Sequence, residues 1–237
     1  FLCDLCGSKK LLGKNMSGPI AVVCLSGGVD SCVTASIAAQ TNEVALLHVN
    51  YGQRTEAREL ISFGEIADFF KAEKRLVLNL NFLGIIGGSS LTDESRALPE
   101  GDLARRDIPS TYVPFRNANI LAAAVSWAEV IGADSVYMGA VEEDSSGYPD
   151  CRADFFEAFQ QAVALGTHPE SKITVVTPVI DMSKSEIVRQ GARLGTPFDL
   201  TWSCYRDEQI ACGECDSCLL RLKAFDEAGI PDPIPYW

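Results

Sequence analysis

Apolar positions come in short blocks along the chain, and longer mixed segments separate the blocks. IAVVCL at Ile20–Leu25 and EVALLHV at Glu43–Val49 have the length and β-branched content of buried strands. Arg75–Leu80, Asp134–Met138 and Ile173–Val176 repeat that signature. Between them, Ser31–Gln40, Thr55–Lys71, Asn117–Ile131 (NANILAAAVSWAEVI) and Asp154–Leu165 read as helices. Ser183-x-x-Glu186 has capping-box spacing and predicts a helix to about Leu194. Strands alternating with helices predict an α/β fold with a doubly wound, mainly parallel sheet. In such sheets ligands sit beyond the carboxyl ends of the strands. No internal repeat interrupts the pattern. Gly84–Gly101 is the expected mobile loop, and the proline-rich end PDPIPYW is expected to lie extended on the surface. The organisation read from this is an appendage at 1–15, a main domain at 16–200 and a small C-terminal region at 201–237, with Met16 a natural start.

Composition narrows the class. A chain of 237 residues with 47% hydrophobic content can bury one large core. Twenty basic residues against 32 acidic ones give a net charge of −12. That balance argues against gripping long nucleic acid or an anionic membrane, and leaves room for a local basic pocket. No apolar run approaches the ~20 residues of a membrane-spanning helix. Phe1–Lys10 lacks the basic segment and apolar core of a signal peptide, so a cytoplasmic protein is expected.

SGGVDS at Ser26–Ser31 follows the first strand and opens the first helix. Glycines at 27 and 28 let backbone N–H groups approach an anion, and the helix N-terminus behind them adds a favourable dipole. Leu25, Ser26, Gly27, Gly28, Val29, Asp30 and Ser31 therefore form a candidate phosphate loop. Ser26 and Ser31 supply hydroxyls, and Asp30 suits Mg²⁺ beside a phosphate. A bare glycine turn is the simpler alternative, but two serines and an aspartate in this order favour phosphate. Gly7–Asn15 only imitates a Walker loop, because it has five residues between its glycines and Asn15 after Lys14.

Nine cysteines are many for a chain of this size. Four of them, Cys204-x₇-Cys212-x₂-Cys215-x₂-Cys218, lie within fifteen residues. Overlapping C-x-x-C steps suit tetrahedral thiolate coordination, with Gly213 easing the turn, and predict a closed structural Zn²⁺ site. An iron–sulfur cluster is the competing reading. Cys3-x-x-Cys6 is half a site at most.

SGGVDS is also the signature of the PP-loop ATP-pyrophosphatases, and the chain resembles that superfamily there. Further strings run in order: YGQR at Tyr51–Arg54, STYVPFRN at Ser110–Asn117, SGYPDCR at Ser146–Arg152 and LTWSCY at Leu200–Tyr205. CGECDSCLLR at Cys212–Arg221 and AFDEAGIPDP at Ala224–Pro233 follow. Together they resemble the 7-cyano-7-deazaguanine synthase (QueC) family from about Ile20 to Pro233. The resemblance implies an ATP-dependent carbon–nitrogen ligase acting on 7-carboxy-7-deazaguanine and ammonia, for queuosine-type nucleosides. AMP is placed on the carboxylate and ammonia displaces it. The resulting amide is then adenylated and eliminated to the nitrile. ATP, Mg²⁺ and Zn²⁺ are the implied cofactors, and a homodimer is the expected assembly.

Onto this frame, Ser26, Asp30, Ser31, Arg54 and Arg116 are the catalytic candidates, the two arginines because guanidinium suits bidentate anion binding. Tyr51, Arg116, Tyr148, Asp150, Arg152 and Trp202 are the substrate-side candidates, Asp150 and Arg152 for the polar edge of a base and Tyr148 and Trp202 for stacking. The simpler alternatives are an Arg54 paired with Glu56 or Glu59 and a Trp202 in the core beside the metal. His48 ends an apolar strand and reads as structural. The chain departs from the family in having Phe115 where Gly is usual, Thr55 where His is usual, and one residue fewer between the first two metal cysteines. A ring at 115 is expected to wall the substrate pocket, or else to fill the core. The first possibility motivates an alternative reading, an anti-phage relative that joins the deazaguanine carboxylate to a protein amine. A non-catalytic nucleotide sensor is a third reading, disfavoured by the intact loop.

Overall fold

The computed structural model describes residues 18–103, 107–142 and 147–237. The appendage at 1–15, the Cys3/Cys6 pair, the Gly7–Asn15 segment, Met16 and Ser146 lie outside the described residues.

Five strands of the described residues form one parallel sheet: β1 Ile20–Cys24, β2 Glu43–Asn50, β3 Lys74–Asn79, β4 Ser135–Met138 and β5 Thr174–Val176. Their spatial order is β3-β2-β1-β4-β5. The chain builds outward from β1 in one direction, then crosses to its other side at β4. The expected doubly wound sheet is what forms, and the switch of direction opens a crevice at the carboxyl ends of β1 and β4.

Among the described residues, seven α-helices flank the sheet: α1 Val29–Ala38, α2 Glu56–Phe69, α3 Phe82–Ile86, α4 Arg116–Ile131, α5 Ala153–Gly166, α6 Lys184–Leu194 and α7 Asp216–Ala228. Alternation along β1 decides which face each helix covers. Ala21, Val23 and Leu25 pack with Cys32, Ala35, Phe63 and Ile66 of α1 and α2. Val22 and Cys24 pack on the opposite face with Leu121, Ala124, Phe156 and Val163 of α4 and α5. A third cluster joins α1 to α6 and α7 through Val33, Ile187, Val188, Ala224 and Phe225. The capping box predicted at Ser183 is present, with Glu186 N–H donating to the Ser183 hydroxyl.

Four expectations need correction. α1 begins at Val29, so half of SGGVDS is already helical. The segment 84–101 is not a free loop. Its start is the end of α3, Ser89 and Ser90 are fully buried, and Arg54 ties its backbone down. α7 carries no periodic apolar pattern that the metal cysteines do not obscure, and it was not anticipated. The C-terminal segment is extended, as expected, but partly built in: Ala211 bridges to Tyr236 and Ile234 is buried. Arg221 of α7 holds this segment through a buried bidentate pair with Asp232, at 2.8 and 2.9 Å.

Candidate active site and metal centre

The phosphate loop leaves the end of β1 at the switch point. Gly27 takes φ +93°, where an L side chain is strained, and a Cβ there would lie 3.1 Å from the Glu59 carbonyl oxygen. Gly139, at the end of β4, has its own reason: a Cβ would meet Asp30 and Ser31 backbone at 2.9 Å. The loop is therefore pressed between α2 and β4, and only glycine fits either contact. Ser26 and Ser31 hydroxyls lie 3.0 Å apart, and Ser31 Oγ donates to the Gly28 carbonyl at 3.0 Å. The first N–H groups of α1 have no partner within the helix and form a fixed site for anionic oxygens. Asp30 pairs with Lys184, the first residue of α6, at 2.6 Å.

A cavity of about 310 Å³ lies over the loop, within the range of small-molecule sites. It is lined by Leu25, Ser26, Gly28, Val29, Asp30 and Ser31 of the loop, with Tyr51, Arg116, Tyr148 and Trp202 among its other walls. Arg116 donates to the Tyr51 hydroxyl at 3.0 Å and lies over the Tyr51 ring. Tyr148 is held by Thr111 at 2.9 Å. Burial raises the pKa of both Tyr51 and Tyr148, so both keep their O–H protons at neutral pH.

The other candidates fall elsewhere. Arg54 does not pair with Glu56 or Glu59 and does not line this cavity. Its guanidinium donates to the carbonyls of Ser90 at 2.9 Å, Asp93 at 3.0 Å and Arg96 at 2.5 Å. It straps the segment that follows α3. Asp150 is buried, and its carboxylate accepts from Asn117 N–H at 2.9 Å, in the first turn of α4. It fixes the helix that presents Arg116. Arg152 is exposed just before α5. Trp202 is buried among Cys204, Cys215 and Ile234, with Arg58 over its ring at 4.7 Å. Its backbone N–H donates to the Gly27 carbonyl at 2.9 Å, which joins the phosphate loop to the cysteine region, while its indole N–H donates to the Asp207 carbonyl at 3.1 Å. His48 is structural: Nδ1 lies 2.9 Å from the Leu25 carbonyl, and burial lowers its pKa.

Phe115 neither walls the cavity nor fills the core. It is 60% exposed, and its nearest ring is Phe155, at 6.2 Å. Its backbone is left-handed, φ +57°, immediately before α4. A glycine would suit that position for its backbone alone.

Cys204, Cys212, Cys215 and Cys218 bring their sulfurs within 4.8 Å of one another. Cys212 and Cys218 sulfurs are 3.9 Å apart. A single ion bound at ~2.3 Å places tetrahedral thiolates about 3.8 Å apart, so the set fits one ion. A multi-iron cluster spreads its thiolates wider, because irons and sulfides lie between them. Backbone N–H groups of Arg206, Asp207 and Cys212 point at Cys204 Sγ at 3.3–3.4 Å, and those of Glu214 and Cys215 at Cys212 Sγ. Such donors favour the thiolate form that a metal needs.

Comparison with known proteins decides the family. Residues 20–229 match the profile described as "Queuosine biosynthesis protein QueC". A 7-cyano-7-deazaguanine synthase from Chloroherpeton thalassium is 57% identical over 217 residues, 91% of this chain and 96% of its own length. Relatives of the same name from Chlorobium phaeobacteroides and Acidobacterium capsulatum are 59% and 56% identical, again over 91% of this chain and 96% of theirs. This chain belongs to the QueC family. A solved NAD+ synthetase from Burkholderia pseudomallei covers 81% of the chain and 65% of its own at 16% identity and a TM-score of 0.42.

Around this cavity, two residues escaped the sequence. Lys184 was visible only as the start of a capped helix, yet it is a cation beside the phosphate loop. Glu59 sits in the first turn and a half of α2 and lines the cavity. Its carboxylate accepts from Gln53 at 3.0 Å and from Thr55 at 3.1 Å. Burial pushes its pKa up to about 7, against those two hydrogen bonds and Arg116, which lower it.

Proposed function

We propose that this chain is a 7-cyano-7-deazaguanine synthase, converting 7-carboxy-7-deazaguanine, ammonia and ATP to the nitrile, with AMP and pyrophosphate as products. The supporting observation is convergence. The phosphate loop, the Asp30–Lys184 pair and Arg116 face one cavity at the switch point of a QueC-family sheet. A carboxylate oxygen is a poor leaving group and an adenylate a good one, so activation must come first. Ser26, Ser31 and the N-terminus of α1 hold the pyrophosphate, and Lys184 offsets charge gathering on the α-phosphate. Asp30 would hold Mg²⁺, which would supply positive charge beside the phosphates. Arg116 receives the substrate carboxylate, and Tyr51 and Tyr148 supply O–H groups and ring faces for the base. The metal on the four cysteines is Zn²⁺, which holds the C-terminal region folded.

The protein-conjugating alternative loses its motive, since Phe115 is 60% exposed and does not line the cavity. The reaction belongs in the cytoplasm, where ATP is supplied. Among the described residues no helix is long and apolar enough to cross a membrane. Exposed Phe82, Ile85 and Ile86 offer an apolar face for a homodimer.

Incubation with ATP, Mg²⁺, carboxydeazaguanine and ammonium, followed by mass spectrometry, tests the reading. The nitrile with AMP supports it. ADP as the main nucleotide product, or a protein adduct in place of the nitrile, refutes it.

A further inference from the structure

Glu59 presents a physical problem that the adenylation chemistry leaves unsolved. It is enclosed by α2, the phosphate loop and the strand-end segment 51–55, yet keeps part of its surface open to the cavity. Among the described residues it has no ion-pair partner. Its two oxygens each accept one hydrogen bond from a neutral donor, Gln53 Nε2 and Thr55 Oγ1. A carboxylate has about four acceptor positions, so two remain for a ligand in the cavity that Glu59 lines. Gln53 is itself fixed, because its Oε1 accepts from Tyr51 N–H at 2.8 Å. Arg116 acts on Glu59 across the cavity without forming an ion pair with it, and donates to the Tyr51 hydroxyl. Burying a carboxylate without a cation is costly, and a fold that does so at the wall of a reaction cavity holds it ready for a ligand.

The ligand must be small, cationic and rich in N–H donors. The nitrogen source of the proposed reaction meets that description, since at neutral pH it is almost wholly ammonium. Ammonium has no lone pair and cannot attack a carbon.

Resting on the proposed function, we infer that Glu59 forms the ammonium site and is the base that takes its proton. The carboxylate binds NH₄⁺ through its free acceptor positions and removes one proton, leaving NH₃ and a neutral carboxyl group. The nitrogen lone pair attacks the carbonyl carbon of the acyl adenylate and the C–N bond forms. The C–O bond to AMP breaks, and AMP leaves with that electron pair. The surplus N–H proton leaves on the departing phosphate or to water. In the second round the adenylated amide must lose N–H protons as its C–O bond breaks to give C≡N and AMP. The same carboxylate, having returned its first proton to solvent, is placed to accept one of them, and the other leaves to water. A group titrating near neutrality accepts and releases protons with little loss in either direction.

The test separates activation from attack. Glu59→Gln keeps the shape and the Gln53 contact, with the Thr55 hydroxyl turned to accept from the new amide, but removes the base and the negative charge. Pyrophosphate exchange into ATP, with carboxydeazaguanine and no ammonium, reads activation alone. Hydroxylamine, mostly neutral at pH 7.5, reads attack by a nucleophile that needs no prior deprotonation. The inference expects exchange and hydroxamate formation within a few-fold of wild type, and amide formation from ammonium reduced about 100-fold or more. It also expects a raised KM for ammonium, and partial recovery in Glu59→Asp. Equal losses with ammonium and hydroxylamine, or a variant that uses ammonium as wild type does, overturn it. Wild-type protein without any exchange overturns the proposed function instead. A thermal melt on each variant removes those that fail to fold, and Glu59→Asp then carries the comparison.

Discussion

Lys184 Nζ lies 2.6 Å from Asp30 Oδ2, tying the start of α6 to the first turn of α1 across 154 residues of chain. Both side chains keep about a quarter of their surface exposed, so a pair of this kind adds only ~0–1 kcal/mol to folding. Its value lies in where it places a cation, beside the helix terminus proposed to receive phosphate. Lys184→Met is therefore expected to change the melting temperature by no more than a few degrees and to lower pyrophosphate exchange about 100-fold or more. A variant that melts like wild type and exchanges like wild type leaves Lys184 out of the chemistry.

The four-cysteine site predicts one zinc per chain by elemental analysis of freshly purified protein. α7 begins directly after Cys215, and its Arg221 anchors the C-terminal segment to Asp232. Cys212→Ala opens the coordination sphere, and structural zinc contributes on the order of 10 kcal/mol in apparent binding free energy. The expected outcome is loss of the metal and early unfolding of the segment from 204 to 237, seen as faster amide exchange there. Iron in the wild type, or a metal-free protein with the same exchange pattern, argues against this.

Phe115→Gly is expected to leave stability unchanged or to raise it slightly. Relief of a left-handed backbone recovers roughly 1–2 kcal/mol, and glycine's added freedom in the unfolded chain takes back 0.5–1. A ring that is 60% exposed has little burial to lose. The ratio of nitrile to amide product stays the same. A fall of ten degrees in the melting temperature, or a changed product ratio, would show that the ring matters after all.

Much of this was legible because it depends on local pattern. Five strands, the alternating helices and the position of SGGVDS follow from apolar blocks and a glycine turn. The metal centre follows from cysteine spacing. What stayed hidden depends on tertiary approach. Nothing in the neighbourhood of Glu59 or Lys184 distinguishes them from other charged residues on helices until the fold brings both to one cavity. Arg54 and Asp150 had the right chemistry for ligands, but the fold spends it on backbone: three carbonyls for one, a helix N–H for the other. The conformation at Phe115 is a backbone property, to which a sequence reader attending to side-chain volume is blind.

Arg54 predicts an effect at a distance. Its three carbonyl contacts span Ser90 to Arg96, and no other side chain offers so many donors in one plane. Arg54→Lys should free the segment, giving faster proteolysis near Asp93–Arg96 and a lower kcat/KM, with little change in global melting. Cleavage at the wild-type rate would show that the strap is redundant.

Glu59 predicts a pH dependence of stability with a definite sign. Its pKa rises from an ordinary carboxyl value in the unfolded chain to about 7 in the folded one, chiefly through burial. Arg116 faces it from α4, the Tyr51 hydroxyl from the end of β2 and Glu56 from its own helix. Between the two pKa values the folded state holds a proton that the unfolded state has released, so stability falls as pH rises through that window. The contribution is complete below about pH 4.5, is lost progressively up to about 7, and is flat above. Glu59→Gln carries no such proton. Its melting temperature relative to wild type should therefore rise between pH 5 and pH 8, by roughly 2–4 °C for each kcal/mol of linkage. Saturating ammonium should recover part of the difference in the wild type alone, because a bound cation stabilises the ionised carboxylate. A relative melting temperature that is flat with pH would mean the carboxyl group titrates normally, with water reaching it through the cavity.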